Sequence, residues 1–160
     1  MRVVIAAVGR MRRGAEADLV TRYLDRAKKT GRAVGLTGFE VAEIDEARAA
    51  TAKERRRREA EKVQALLPEN SVIVALDETG EALDSMAFSA LIGRRRDDGC
   101  QVCAFVVGGP DGHAPDLRSR ADLVLSLGAM TLPHQLARVV LAEQLYRVAT
   151  ILSGHPYHRG

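Results

Sequence analysis

At 160 residues the chain is long enough for one domain with a sizeable core, and 46% hydrophobic with 28% charged residues is the balance of a globular protein. No apolar run approaches the roughly 20 residues of a membrane-spanning helix. A formal charge of +3 permits a nucleic-acid partner without demanding one, and the lack of Trp argues against a broad base-stacking platform.

Met1 to Val8 reads as a first buried strand; Gly9-Arg10-Met11-Arg12-Arg13 follows with no small-residue cleavage site, so it is not read as a signal peptide. Gly14 to Lys29 carries Val20, Tyr23, Leu24 and Ala27 at helical spacing. Leu36 to Ile44 reads as a second strand. Ala47 to Leu67 reads as a long helix stopped by Pro68. Ser71 to Asp77 is a third strand, and its run Val72-Ile73-Val74-Ala75-Leu76 suits cover on both faces. Glu78-Thr79-Gly80 reads as a turn. A helix is expected from Ser85 to about Arg96, a strand from Gln101 to Val107 and another from Asp122 to Leu127. The last helix begins with Pro133 at its first position and ends near Ser153, before Gly154. Strands alternating with helices predict one α/β domain over residues 1–160, with helices on both faces of a parallel sheet.

Open parallel sheets bind ligands outside the carboxyl ends of their strands. Three loops belong there: 77–80, 108–112 and 128–133. None is a GxxxxGK[ST] phosphate loop, and the missing GxGxxG disfavours a dinucleotide oxidoreductase. Gly108-Gly109 after a buried strand lets a ligand approach the backbone, although a tight turn with no ligand explains the pair as well. Cys100 and Cys103 form a CxxC with no second pair, so they read as structural thiols in a reducing cytoplasm. His134 and Arg138 lie four apart, near the start of the last helix. They are either a solvated face or a functional pair. The runs Arg55–Arg58 and Arg94–Arg96 are similarly ambiguous. Glu54 with Arg58, Arg55 with Glu59 and Arg57 with Glu61 can form a salt-laced surface, and RNA contact is the sharper alternative. His155 and His158 lack a third ligand, so no metal site is expected.

The segment Ser126-Leu127-Gly128-Ala129-Met130-Thr131-Leu132-Pro133-His134 resembles a signature of the ribosomal RNA large subunit methyltransferase H family. So do Leu141-Ala142-Glu143-Gln144-Leu145-Tyr146-Arg147, the ending His155-Pro156-Tyr157-His158-Arg159, and the blocks Val74 to Gly80 and Val107 to Gly112, in the same order. The likeness is specific from about Leu76 onward and loose before it. It implies a SPOUT methyltransferase fold with a C-terminal trefoil knot, which general folding rules would not predict. It implies S-adenosylmethionine as cofactor, held at Leu76, Gly108, Gly109, Leu127, Gly128, Ala129, Met130, Thr131 and Leu132. The implied substrate is N3 of a pseudouridine in 23S ribosomal RNA, within assembled ribosomes in the cytoplasm.

The imide N3 keeps its proton at neutral pH, so a group must remove that proton or stabilise the anion as it forms. The resemblance offers His134, Arg138, Tyr157, His158 and Arg159, with the tail folding over the site. The resemblance implies a homodimer, and the apolar positions Leu141, Leu145, Val148 and Leu152, with Leu136 and Val140 on another face, are the expected interface. The competing reading is a non-catalytic ribosome-binding protein that retained the fold. Cofactor binding separates the two.

Overall fold

The computed structural model describes residues 1–158. Five strands form one parallel sheet in the order β2-β1-β4-β3-β5. They are β1 (Arg2–Val8), β2 (Thr37–Ile44), β3 (Val72–Ala82), β4 (Val102–Val107) and β5 (Leu123–Ser126). The helices are α1 (Ala15–Gly31), α2 (Ala52–Leu66), α3 (Ser85–Asp97), α4 (Pro115–Arg120) and α5 (His134–Ser153), with one 3-10 turn at Arg32–Val34.

The alternation of side chains along each strand divides the core in two. Val3, Ile5 and Ala7 of β1, with Cys103, Phe105 and Val107 of β4, face Leu24, Phe88, Ile92, Leu141 and Leu145 of α1, α3 and α5. Ala6, Val8, Ala75 and Val106 face Ala60, Val63 and Leu117 of α2 and α4 on the other side. All six residues of β4 are buried, as an unbroken apolar run in a doubly covered strand requires.

Most expected elements are present, with shifted ends. The second helix starts at Ala52 and not at Ala47. Thr51 is extended and its hydroxyl accepts from the Glu54 amide at 3.2 Å, while the buried Glu59 carboxylate takes the Ala47 amide at 2.8 Å. The cap and that carboxylate hold residues 47–50 off the helix axis. Leu67 is extended, as the residue before a proline prefers. Pro133 precedes α5 as its N-cap and not as its first turn. Gly154 ends α5 in the left-handed conformation at φ 68°. The short α4 was not anticipated; it has one buried apolar residue, Leu117, and so no readable period.

The largest correction concerns β3. Residues 78–80 were expected to end it in a turn, yet the strand continues to Ala82. Leu125 of β5 is the register partner of both Leu76 and Glu81, so residues 77–80 bulge out of a strand that then rejoins its neighbour. Gly80 makes the rejoining possible: a Cβ there would lie 2.6 Å from the Val124 carbonyl oxygen. The bulge is what projects Asp77, Glu78 and Thr79 from the sheet edge.

Candidate active site

At the carboxyl end of the sheet, the bulge of β3 and the segments after β4 and β5 surround one open cleft of about 630 Å³. Its walls are Leu76 to Thr79, Val107 to His113, and Leu125 to Leu132 with gaps, closed by Arg56 of α2, Arg118 of α4, and His134 and Ala137 of α5. Of the nine residues the sequence placed at a cofactor, Leu76, Gly108, Gly109, Leu127, Gly128, Met130, Thr131 and Leu132 line this cleft. Ala129 does not; it is exposed at the loop's outer edge.

The loops are tied to each other by polar contacts. Asp77 accepts from the Thr79 amide at 2.9 Å and its hydroxyl at 2.6 Å, and pairs with Arg118 at 2.8 Å. Burial pushes the Asp77 carboxyl up, but the Thr79 donors and Arg118 outweigh it and hold the group below the usual range. His113 lies 2.8 Å through Nε2 from the Leu76 carbonyl, which joins β3 to the segment after β4 and fixes the proton on Nε2. Burial lowers its pKa from the ordinary 6.5. The Thr131 hydroxyl donates to Glu78 at 3.1 Å, linking the bulge of β3 to the segment after β5.

Gly108 and Gly109 prove tight for a structural reason as well. A Cβ on Gly108 would stand 3.2 Å from the His113 ring, and one on Gly109 would stand 2.9 Å from Val8. The Gly109 amide region closes on itself, with the Gly112 amide donating to the Gly109 carbonyl at 2.9 Å. The loop is latched from α2. Arg55 grips Asp111 with two bonds, of 2.6 and 3.1 Å, and Arg56 donates to the Asp111 carbonyl at 3.2 Å. The expected Arg55–Glu59 pair is therefore replaced, because Glu59 is buried on the Ala47 amide. Glu54–Arg58 and Arg57–Glu61 form as expected, each at 2.5 Å on the surface.

The residues present suit an adenosyl ligand. Leu127, Leu132 and Leu125 supply apolar wall. Gly128, at φ 132°, has no heavy atom within 4 Å of an added Cβ, so the loop leaves room directly over its backbone. The cleft volume lies within the range of small-molecule sites.

His134 is exposed and lines the cleft, but Arg138 does not share its surroundings. Arg138 is only 3% exposed. It donates to the Val8 and Gly9 carbonyls at 2.7 and 2.6 Å and pairs with Glu43 at 2.7 Å. Four residues of helix carry the side chain from the cleft to the carboxyl end of β1, so the pair is neither a solvated face nor a joint catalytic unit.

Among the described residues, the tail does not reach this cleft. The Tyr157 hydroxyl donates to Glu143 at 3.0 Å and its ring packs 4.5 Å from that of Tyr146, under the Arg147 guanidinium. His158 Nδ1 is 3.3 Å from Arg147, which is also ion-paired with Glu143. Glu143 is nine residues beyond His134, roughly 13 Å along the helix. Arg159 lies outside the described residues. Burial, then Glu143, pushes the Tyr157 phenol up to about 12, so it is a donor and not a base where it stands.

Leu141, Leu145 and Val148, expected at a dimer interface, are at most 1% exposed and form this chain's own core. Leu136 remains 44% exposed. Cys103 is fully buried, which raises its pKa to about 12, and Cys100 is half-buried; both are free thiols. Arg56, His113 and Arg118 were missed at the cleft. Arg56 was hidden inside a run of four arginines, His113 had only its place after Gly112 to suggest it, and Arg118 had no signal.

The family model described as predicted SPOUT methyltransferase matches residues 1–158. Proteins named ribosomal RNA large subunit methyltransferase H are similar along the whole chain. The one from Brucella anthropi is 54% identical over 159 residues, 99% of both chains. That from Rhizobium etli is 55% identical over 159 residues with the same cover, and that from Nitrobacter hamburgensis 52% over 160 residues, all of both chains. Among solved structures, the SpoU methyltransferase AviRb from Streptomyces viridochromogenes, in complex with AdoMet, aligns with TM-score 0.40 at 16% identity, over 92% of this chain and 57% of that one. With a family model matched over 158 of its 160 residues and full-length relatives above 50% identity, the chain belongs to the SPOUT methyltransferase family.

Proposed function

We propose that this methyltransferase moves a methyl group from S-adenosylmethionine to N3 of a pseudouridine in large-subunit ribosomal RNA, on the assembled ribosome in the cytoplasm. The observation that carries the reading is the cleft itself: three loops from three neighbouring strand ends, each holding family-block residues, converge on one volume with an open glycine floor at Gly128. The relatives named above supply the ribosomal substrate. The cofactor, held by Leu76, Gly108, Gly109 and residues 127–132, supplies an electrophilic methyl on a sulfonium centre. The chain has to hold the base in line and manage its N3 proton. His134 is the side chain at the cleft best placed to take or share that proton. The competing reading, a ribosome-binding protein without activity, gives no reason for the built cleft.

The remaining residues complete the site from a second copy. Glu143 and Arg147 follow Leu136 by seven and eleven residues, so the tail's docking point, the exposed Leu136 and the half-buried Val140 share one face of α5. A homodimer through that face would carry Tyr157, His158 and Arg159 of one chain toward the cleft of the other, whereas Tyr157 and His158 dock away from their own. Arg159 would then meet phosphate or the developing imide anion, and Tyr157 would stack on the base. The trefoil knot and a single domain over 1–160 belong to the same proposal. They are supported by β5 lying beside β3 and by α5 packing on α1 and α3.

Labelled S-adenosylmethionine with purified ribosomes lacking the methyl group tests the reading. Label recovered at N3 of one pseudouridine in the large-subunit RNA is expected. Calorimetric binding of the cofactor with no transfer to ribosomes, free RNA or subunits would return the protein to the binding class.

A further inference from the structure

The loop between β1 and α1 carries three arginines that the chemistry above leaves idle. Arg10 is spent on Asp45, a surface pair at 2.6 Å. Arg12 and Arg13 are exposed and make no ion pair among the described residues. A loop bearing two unpaired charges would ordinarily be mobile, but this one is built. Met11 packs against the core between its arginine neighbours, and its amide donates to Glu43 Oε1 at 2.8 Å. That same oxygen takes the Arg138 guanidinium, whose other nitrogen holds the Val8 and Gly9 carbonyls. Gly9 turns the chain at φ 84°, and its amide is tied to the Ile44 carbonyl at 2.8 Å. Arg138 follows Ala137, which lines the cleft, and Val8 lies against Gly109 of the cleft wall. Of the nearby carboxylates, Glu43 is committed to Arg138 and Met11 and Asp45 to Arg10, while Glu46 beside Gly9 and Glu16 beside Gly14 make no ion pair among the described residues.

A buried arginine offset by one carboxylate and two carbonyls contributes little net stability, and its usual return is a fixed geometry. Here it fixes which way a basic loop points relative to the cleft. We propose that residues 9–14 form a docking surface for the phosphates of the RNA substrate, presented by Arg12 and Arg13, and that Arg138 with Glu43 positions it. The proposal rests on the ribosomal RNA reading and gives that substrate a contact outside the cleft. Arg138 is thus a positioning residue and not a catalytic one.

The test is methyl transfer to purified ribosomes at several salt concentrations, with S-adenosylmethionine affinity and sedimentation measured on the same samples. For Arg12→Ala/Arg13→Ala the KM for ribosomes should rise about tenfold with kcat and cofactor affinity unchanged. The dependence of log affinity on log salt should become shallower by about 1.5, since each lost phosphate contact removes about 0.7–0.9. Glu43→Gln should raise the same KM, and adding it to the double variant should change little more, because both act through one loop. Should Glu43→Gln not fold, Arg138→Lys, which can keep the Glu43 contact while losing a carbonyl, replaces it. An unchanged KM and salt slope in the double variant would overturn the docking surface. Full additivity would overturn the positioning role. A lost dimer with an unaltered salt slope would assign the loop to a protein contact and overturn the proposal. If the unaltered protein transfers no methyl to ribosomes, the substrate reading fails and the loop proposal falls with it; with transfer established, the other failures touch the loop alone.

Discussion

His113 and Gly80 show how single residues set the cleft. Burial disfavours the charged form of His113, and its folded pKa lies below the ordinary 6.5. The stability linked to it is therefore complete above pH 6.5 and is lost as pH falls toward the folded value, where the unfolded chain binds the proton first. Thermal denaturation of the unaltered protein between pH 7 and 5 should show this loss, and His113→Gln should show a shallower one; identical pH profiles would remove His113 from the account. Gly80→Ala places a Cβ against backbone, at 2.6 Å from the Val124 carbonyl oxygen, where no side chain can give way. A loss of about 1–3 kcal/mol is expected in urea denaturation, together with weakened cofactor binding, because the bulge that carries Asp77 to Thr79 depends on that close approach. Gly108→Val should also weaken binding, but through the His113 ring 3.2 Å away as well as through the ligand.

At the scale of elements, what could be read from the sequence depended on whether a residue's role was local. The buried strands were legible from unbroken apolar runs, and α1 from its period. The ends of α2 and the continuation of β3 were not, because a capping threonine, the distant Glu59–Ala47 bond and pairing with β5 decide them. Eight cleft residues were found through blocks of resemblance that span strand ends and the turns beside them. Arg138 was misplaced because spacing along a helix cannot say what lies beyond the helix, and its partner Glu43 is 95 residues away. The same limit hid the Arg55–Asp111 latch, which joins residues 56 apart. Breaking that latch tests its purpose. Asp111→Asn should leave the fold intact and weaken S-adenosylmethionine binding several-fold by loosening the loop at Gly108 and Gly109. Unchanged calorimetric affinity would make the latch a surface ion pair of little consequence.

For the whole molecule, the cleft borders the start of α5, while Tyr157 and His158 dock on Glu143 and Arg147 further along the same helix. Removing residues 157–160 deletes the Tyr157–Tyr146 ring contact, worth about 0.5–1.5 kcal/mol, so the shortened protein should fold and bind cofactor. Leu136→Asp should convert a dimer to a monomer in sedimentation at micromolar concentration and leave the cleft intact; a dimer that survives it would move the interface elsewhere. The most direct test of the central claim mixes two inactive proteins. One is shortened after Pro156 and keeps its cleft; the other carries Gly128→Val, which fills the open floor, and keeps its tail. The account predicts that each alone transfers no methyl group to purified ribosomes and that the mixture recovers a substantial part of the activity, since mixed dimers hold one complete site. Two inactive proteins that stay inactive when mixed, despite forming mixed dimers, would contradict it.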